Sequence, residues 1–406
     1  MLRNRNFSLF VSGTFISLTG DWLGNIGLVP LVYGLSGDPA VALSVVFTLR
    51  ILPTLIVVPL LSPLLDKVPR KDTMVFVNSL SAFVVFLVPV IPSLPVLYIL
   101  IFLLFTLVAI FQPVQRSFIP TIVVQDELVQ ANSILSVSGN MSLILGPLAG
   151  GILGTFTDLR ILFWINAITF LVAALCILLV SDKERRSSTE GIYTGPHYLR
   201  EFASGVISLF RSVPTFLVGI MVLIISLNGT LNVIIYPFLK QVLEIPTEAV
   251  LQYGLVTSAV GVGTVMGASV MFLSIKRANP QRHQLIALTG LLLIGVSALL
   301  LCFARDLYLV VTGAVIFGAG TVVASIITQV AIQKTVRQQY LARVFAIWGA
   351  SLNLANILGT WLGGILMKTL LVRQVVGAIT TLAWVSLILA SIILIRIRGA
   401  VSQRTR

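Results

Sequence analysis

Long apolar runs separated by short polar segments fill nearly the whole chain. Twelve are distinguishable, at 7–34, 41–65, 73–92, 95–119, 128–156, 160–181, 213–239, 248–275, 284–303, 307–334, 342–369 and 375–397. A helix crossing the hydrocarbon core of a bilayer needs about 20 predominantly apolar residues. The runs are continuous and do not alternate polar with apolar, which excludes the strands of a membrane barrel. Helices remain, because their backbone hydrogen bonds close within the segment. Twelve spans put both termini on one side. The longest polar segment, Ser181 to Ser212, predicts a division into a six-helix bundle at 1–181, a linker at 182–212 and a second six-helix bundle at 213–406. Within it, Asp182 to Ser188 reads as linker. His197 to Phe210 reads as a short amphipathic surface helix with Leu199, Phe202, Val206, Leu209 and Phe210 on its apolar side.

The halves resemble each other. Gly146-Pro147-Leu148-Ala149-Gly150-Gly151-Ile152-Leu153 in the fifth run recurs as Gly359-Thr360-Trp361-Leu362-Gly363-Gly364-Ile365-Leu366 in the eleventh, with five of eight positions identical. That spacing predicts two pseudo-symmetric six-helix bundles. Glycines four apart let a neighbouring helix approach closely.

Composition agrees. The 406 residues are 57% hydrophobic and 10% charged, with a mean hydropathy of +1.04, whereas soluble domains carry about 25% charged residues. A net charge of +13 raises the question of nucleic acid. The basic residues instead form short clusters between apolar runs, so no nucleic-acid partner is expected. Of the 27 Lys and Arg, 21 fall in one alternating set of segments and 5 in the other, with Arg50 inside a span. This bias places both termini in the cytoplasm. The basic start followed by an apolar run reads as an uncleaved first span, too long for a signal-peptide core. Cys176 and Cys302 lie in apolar runs without metal spacing and read as small apolar residues. No metal or cofactor is expected. No phosphate-cradling Gly-Lys-Ser/Thr loop or Ser/His/Asp grouping is present, which speaks against ATP-driven or enzymatic chemistry.

Asp21 is the one carboxylate inside a long apolar run. An ionised carboxylate at the bilayer centre costs several kcal/mol, roughly 3 on insertion scales. It therefore needs a watery cavity, a partner or a proton. A functional site and a buried packing carboxylate are the two readings. Arg50 is the second charge at depth, about 6 Å from Asp21 along the membrane normal at 1.5 Å per residue. Burial and a nearby guanidinium pull a carboxyl group in opposite senses, which suits proton binding and release. A static ion pair is the alternative. Other polar residues inside spans are candidate walls of a substrate cavity: Asn25, Gln112, Gln115, Asn228, Asn232, Gln329, Gln333, Asn353 and Asn356. Asn140 and Thr328 are further intramembrane polar positions. Asn228 and Asn232, and Gln329 and Gln333, share a face one turn apart. Trp22 and Trp361 offer rings for stacking on a substrate.

The segment after the second run, Ser62-Pro63-Leu64-Leu65-Asp66-Lys67-Val68-Pro69-Arg70-Lys71, resembles the loop motif of the major facilitator superfamily. Asp66, Lys67, Arg70 and Lys71 fit the motif, while Ser62 and Pro69 replace its glycines. Gly20-Asp21-Trp22, Arg116 to Pro120 followed by Gln130-Ala131-Asn132, the helix with Gly146-Pro147, and Tyr340 to Phe345 look like its twelve-span drug/proton antiporter branch, which includes macrolide-efflux and siderophore-export proteins. Gly139, Gly146, Pro147, Gly150 and Gly151 resemble that branch's motif on helix 5. The resemblance implies a midplane cavity lined by helices 1, 4, 7 and 10, and a cytoplasmic latch built on Asp66. It also implies a monomer in the bacterial cytoplasmic membrane, in contact with lipid.

The reading is an all-α membrane protein with twelve transmembrane helices. It exports amphipathic small molecules, drug-like compounds or siderophores, by proton antiport with alternating access. Asp21 holds the proton and Arg50 modulates it. A lysophospholipid flippase and a non-transporting, transporter-like receptor are the alternatives.

Overall fold

The computed structural model describes residues 4–65, 68–91, 93–181, 215–245, 249–274, 280–336 and 338–404. Among these the chain forms twelve long helices and one short 3-10 turn, Gln125–Glu127. The helices are α1 (Arg5–Leu35), α2 (Pro39–Leu65), α3 (Arg70–Leu87), α4 (Leu94–Ile122), α5 (Leu128–Phe156) and α6 (Leu159–Leu178). They continue with α7 (Thr215–Gln241), α8 (Val250–Ser274), α9 (Pro280–Phe303), α10 (Leu307–Thr335), α11 (Gln338–Thr369) and α12 (Val372–Arg404). The expected surface helix at 197–210 lies outside the described residues, as do Asp66 and Lys67.

Each helix coincides with one apolar run. Most ends fall within four residues of expectation, and two differ by more. α3 stops at Leu87 instead of continuing to 92: Val88 still has helical backbone angles, but Pro89 has no N–H to donate one turn back, and two turn hydrogen bonds, Val88 N to Val85 O and Val90 N to Leu87 O, close the end. α12 continues to Arg404, beyond the apolar stretch. Eleven of the described helices are long and apolar enough to cross a membrane. α3 misses that criterion because Arg70, Lys71 and Asp72 fill its first turn.

The outward faces are as apolar as the interior. On α6, Ile168, Leu171, Leu175 and Leu178 are exposed, while Phe163, Asn166, Ala167, Phe170 and Ala173 are buried. In water such a stripe is a liability. In hydrocarbon it is the expected surface, and the buried face carries the small and polar residues.

Contacts divide the chain into two compact units, Met1–Gly195 with Thr247–Ser258, and Pro196–Pro246 with Ala259–Arg406. In the first, α1 packs on α5 and α6, α3 on α4 and α6, and α2 on α4. In the second, α7 packs on α11 and α12, and α9 on α10 and α12. From Ala259 on, α8 packs on α10, with Gly263 against Val315 and Gly267 against Ala319. Adding six to each helix number of the first set gives the second, so the internal repeat extends to helix pairing.

The glycine rows set the register of that repeat. A Cβ on Gly146 would lie 2.7 Å from the carbonyl oxygen of Thr19, and one on Gly150 would meet Leu23 at 3.1 Å. In the second unit a Cβ on Gly359 would lie 1.8 Å from the carbonyl oxygen of Ser226, and one on Gly363 would meet Thr230 at 2.9 Å. Thr19 and Leu23 thus correspond to Ser226 and Thr230. Counting from them, Asp21 corresponds to Asn228 and Asn25 to Asn232.

Polar side chains tie helix ends together. Asn4 Oδ1 caps α1 by accepting from the backbone N–H of Asn6 and Phe7, and Asn4 Nδ2 donates to Ile122 O at the end of α4. Lys71 Nζ donates to Val180 O at 2.8 Å, just past the end of α6. A cation there satisfies an orphan carbonyl and complements the dipole, an effect of about 0.3–1 kcal/mol. Lys71→Met is therefore expected to lower the melting temperature by about 1–2 °C. A large loss of transport at unchanged stability would instead mark Lys71 as part of a moving latch.

Candidate functional site

Asp21 lies in the middle of α1, and the glycines around it explain how it is reached. Gly20 and Gly24 face α6: a Cβ on Gly20 would lie 2.0 Å from Thr169 Oγ1, and one on Gly24 would lie 2.8 Å from Asn166 Nδ2. Without side chains at these positions α6 comes close enough for Asn166 Nδ2 to donate to Asp21 Oδ1, a long bond of 3.5 Å. The orientation of the Asn166 amide is supported from behind. The Thr169 hydroxyl donates to Asn166 O at 2.7 Å and lies 3.2 Å from Asn166 Oδ1. Asn166 is buried, as expected for a polar group that has a partner.

Arg50 on α2 faces the same region. Its guanidinium lies 4.7 Å from the centroid of the Phe105 ring and 5.4 Å from that of Phe47. Such cation–π contacts hold a guanidinium at depth with about 0.5–2 kcal/mol each. Arg50 is within electrostatic reach of Asp21 and of Tyr253, at the start of α8. Residues of α2 and α6 thus act on this carboxylate of α1, and Tyr253 of α8 acts in turn on Arg50.

One side of Asp21 opens on a cavity of about 190 Å³ bounded by α1, α3, α4 and α6. Its polar lining is Thr14, Ser17, Asn78, Ser81, Gln112, Gln115 and Arg116. Gln115 Nε2 donates to Thr14 Oγ1 at 3.3 Å. Gln112 and Arg116 are exposed and mark the mouth, whereas Ser17, Asn78 and Ser81 are buried. An apolar cluster that includes Phe7, Phe10, Met74, Phe118 and Ile177 closes the bundle beyond Thr14.

A second, open groove of about 450 Å³ runs between α1 and α5. Val11, Phe15, Ile134, Val137, Met141 and Leu145 line it, with Ser12, Gln130, Ser133 and Ser138 supplying polar groups. On the other side of α5, Gly151 faces the start of α8, where a Cβ on Gly254 would lie 2.4 Å from Pro147 O. Ser258 Oγ donates to Ile144 O at 2.8 Å along the same seam. The helix 5 motif thus serves two neighbours, with Gly146 and Gly150 against α1 and Pro147 and Gly151 against α8. Gly139 faces open space and shares neither seam.

The remaining expected cavity residues are placed within their own units. Asn25 is half-buried on α1. In the second unit, Asn232 Nδ2 donates to Asn228 Oδ1 at 3.3 Å, and exposed Gln329 donates to Ser325 Oγ at 2.9 Å. Gln333 and Trp361 are exposed, and Asn353 is half-buried. Asn356 O and Oδ1 accept from Thr360 on the seam between α7 and α11. Of the loop basic residues, Arg70 and Lys71 lie in the first turn of α3. Asn166, Tyr253, Asn78 and Ser81 join the site without having been singled out by sequence. The signal available for Asn166 was its place as an amide amid the apolar run 160–181.

Comparison with known proteins places this arrangement. The sequence profile of the Major Facilitator Superfamily matches residues 10–282. The chain is 24% identical over 390 residues to an uncharacterised MFS-type transporter, YfiS, of Bacillus subtilis (strain 168), covering 91% of this chain and 88% of that protein. Its fold is similar to that of the nucleoside transporter NupG, with TM-score 0.77 and 14% identity over 95% of this chain and 98% of the other. A peptide transporter, POT, in complex with sulfate superposes with TM-score 0.74 and 14% identity over 98% and 95%. A bacterial homologue of the human lysosomal transporter Spinster, in an inward-facing and unoccupied conformation, gives TM-score 0.67 and 14% identity over 96% and 94%. The chain belongs to the Major Facilitator Superfamily and is a multi-span membrane transporter rather than an enzyme.

Proposed function

We propose that this transporter exports amphipathic small molecules, drug-like compounds or siderophores, in exchange for protons by alternating access. The observation that carries the proposal is the placement of Asp21. It is the one carboxylate inside the apolar runs, it has a buried amide partner, and it faces a cavity whose mouth is exposed. A carboxyl group in such a place is costly to keep charged without a purpose. Taking up a proton removes its charge from the membrane field, worth roughly 2.3 kcal/mol per 100 mV, enough to bias a conformational equilibrium. Arg50, held by Phe47 and Phe105 within reach of Asp21, tunes that exchange. The helix 5 seams of small residues suit helices that shift against one another. The latch ascribed to Asp66, Lys67, Arg70 and Lys71 would stabilise one end state.

The α1–α5 groove suits an amphipathic ligand, with one polar edge and an otherwise apolar wall. It equally favours a second reading, lysophospholipid translocation. Everted vesicles distinguish them. Accumulation of a cationic dye that requires an imposed pH gradient and collapses when nigericin dissipates it supports drug–proton exchange. Movement of a fluorescent lysolipid between leaflets without a gradient, with no dye accumulation, replaces that reading with the second.

A further inference from the structure

We infer that the cavity inside the first unit is a water-filled proton conduit joining Asp21 to the Arg116 mouth, with Ser81 and Asn78 as the residues that position its water. The inference rests on the proton-coupling role proposed for Asp21 and adds the route by which the proton leaves toward the cytoplasmic side.

Four observations support it. First, Ser81 Oγ is buried, faces the cavity and has no hydrogen-bond partner among the described residues. A hydroxyl in a helix ordinarily donates to the carbonyl one turn back, as Ser138 and Ser142 do. Leaving it unmatched costs about 1–3 kcal/mol, a cost that water in the adjoining space removes. Second, the cavity is far larger than the roughly 30 Å³ that one water occupies, at about 190 Å³. Its wall offers enough donors and acceptors for a hydrogen-bonded chain. Third, Thr14, Ser17 and Asp21 follow one face of α1 over about 10 Å, at 1.5 Å per residue. They connect the depth of Asp21 to the level of Gln115. Fourth, Pro113 lies on α4 between the lining residues Gln112 and Gln115 and has no N–H, so the helix wall lacks one backbone hydrogen bond beside the cavity.

The charged groups around this space are few. Asp21 and Arg116 are the ionisable residues in its lining, and Arg50 and Tyr253 lie on the other side of Asp21. Arg116 at the mouth repels free cations, which favours passage of protons by relay along water over passage of hydrated metal ions. The transfer balances simply. Protonated Asp21 gives its proton to the first water and is left as a carboxylate, the proton passes along the chain, and a hydronium leaves at the mouth. The route lies within one helical bundle, so proton and substrate need not share a path.

The test uses full-length protein lacking its native thiols (Cys176→Ala, Cys302→Ala) in proteoliposomes. Ser81→Cys is treated with a small, charged methanethiosulfonate that reacts only through water, and Gln112→Cys at the mouth is the positive control. Labelling of both supports the conduit. Labelling of Gln112→Cys alone overturns it, because buried Ser81 would then be dry. A functional arm follows with Ser81→Leu, which fills the cavity, and the conservative Ser81→Thr. The conduit requires Ser81→Leu to lose at least tenfold in pH-driven transport while retaining gradient-free substrate exchange, and Ser81→Thr to restore it. Equal pH-driven transport by wild type and Ser81→Leu overturns the conduit and leaves the coupling reading intact. Ser81→Cys labelled in a wild type that shows no response to a pH gradient overturns the coupling reading instead.

Discussion

Asp21→Asn is expected to abolish transport driven by a pH gradient, by a factor of ten or more, while the protein folds and still exchanges substrate in the absence of a gradient. The substitution is nearly isosteric. It preserves an acceptor for Asn166 Nδ2, whose bond to Asp21 Oδ1 is already long at 3.5 Å, so packing of α1 on α6 should survive. What it removes is the ability to change charge. The second unit supplies a precedent, because Asn228 occupies the corresponding position on α7 and pairs with Asn232 within its own helix. The measurement is dye or substrate flux in everted vesicles under an imposed pH gradient, paired with counterflow exchange. Retention of both activities would falsify the coupling role and leave Asp21 as a packing residue. Loss of both, with a melting temperature lowered by many degrees, would assign it to the fold.

Gly359→Ala should produce the largest loss of stability among single-methyl additions in the second unit's α7–α11 seam. The added Cβ would sit 1.8 Å from Ser226 O and 2.8 Å from Ser226 Cα. Both are backbone atoms, so no rotamer change relieves the clash and α7 must move away from α11. That displacement also weakens the hydrogen bond from Thr230 Oγ1 to Gly359 O, 2.8 Å long. Overpacking costs typically about 1–3 kcal/mol, and the lost hydrogen bond adds about 1 more. Gly139→Ala is the control. It places a methyl in open space and removes a helix-interior glycine, worth about 0.5–1 kcal/mol in favour of the alanine. Thermal unfolding in detergent should therefore show Gly359→Ala well below wild type, or absent from the monodisperse fraction, and Gly139→Ala at or above it. Equal melting temperatures would mean that the seam yields and that the close approach is not needed for folding.

Much of the fold is legible in the sequence because the solvent is hydrocarbon. Backbone groups must be satisfied within each segment, so apolar runs translate directly into helices, and the repeat around Gly146 and Gly359 announces the duplication. The exceptions are local. Pro89 ends α3 early, and α12 runs past its apolar stretch. The site is less legible. Asp21 and Arg50 stand out because charge at depth is rare. Asn166, Asn78 and Ser81 do not, because a lone amide or hydroxyl in a helix bonds its own backbone as readily as it serves a site. Asn78 itself does this, donating to Met74 O at 2.9 Å. Gln112 and Gln115 were expected on the wall of a cavity between the halves. They line a space inside the first unit, shared with α3 and α6. Which face of α4 those residues take depends on helix rotation, which hydropathy does not encode. Tyr253 comes within reach of Arg50 on a helix that Gly254 lets close on Pro147 and Gly151, an arrangement with no one-dimensional signature.

The solitary carboxylate of the spans also sets a ceiling. On the coupling role proposed for Asp21, with an amide at its counterpart, the spans would hold one seat for a coupling proton. An exchanger that admits one proton per turnover can raise its cargo about tenfold for each 59 mV of driving force. Its limiting concentration ratio is then set by the cell's energisation and not by how tightly it holds the cargo. A second acid would be needed to square that ratio, and Asn228 is the position at which one substitution would introduce it.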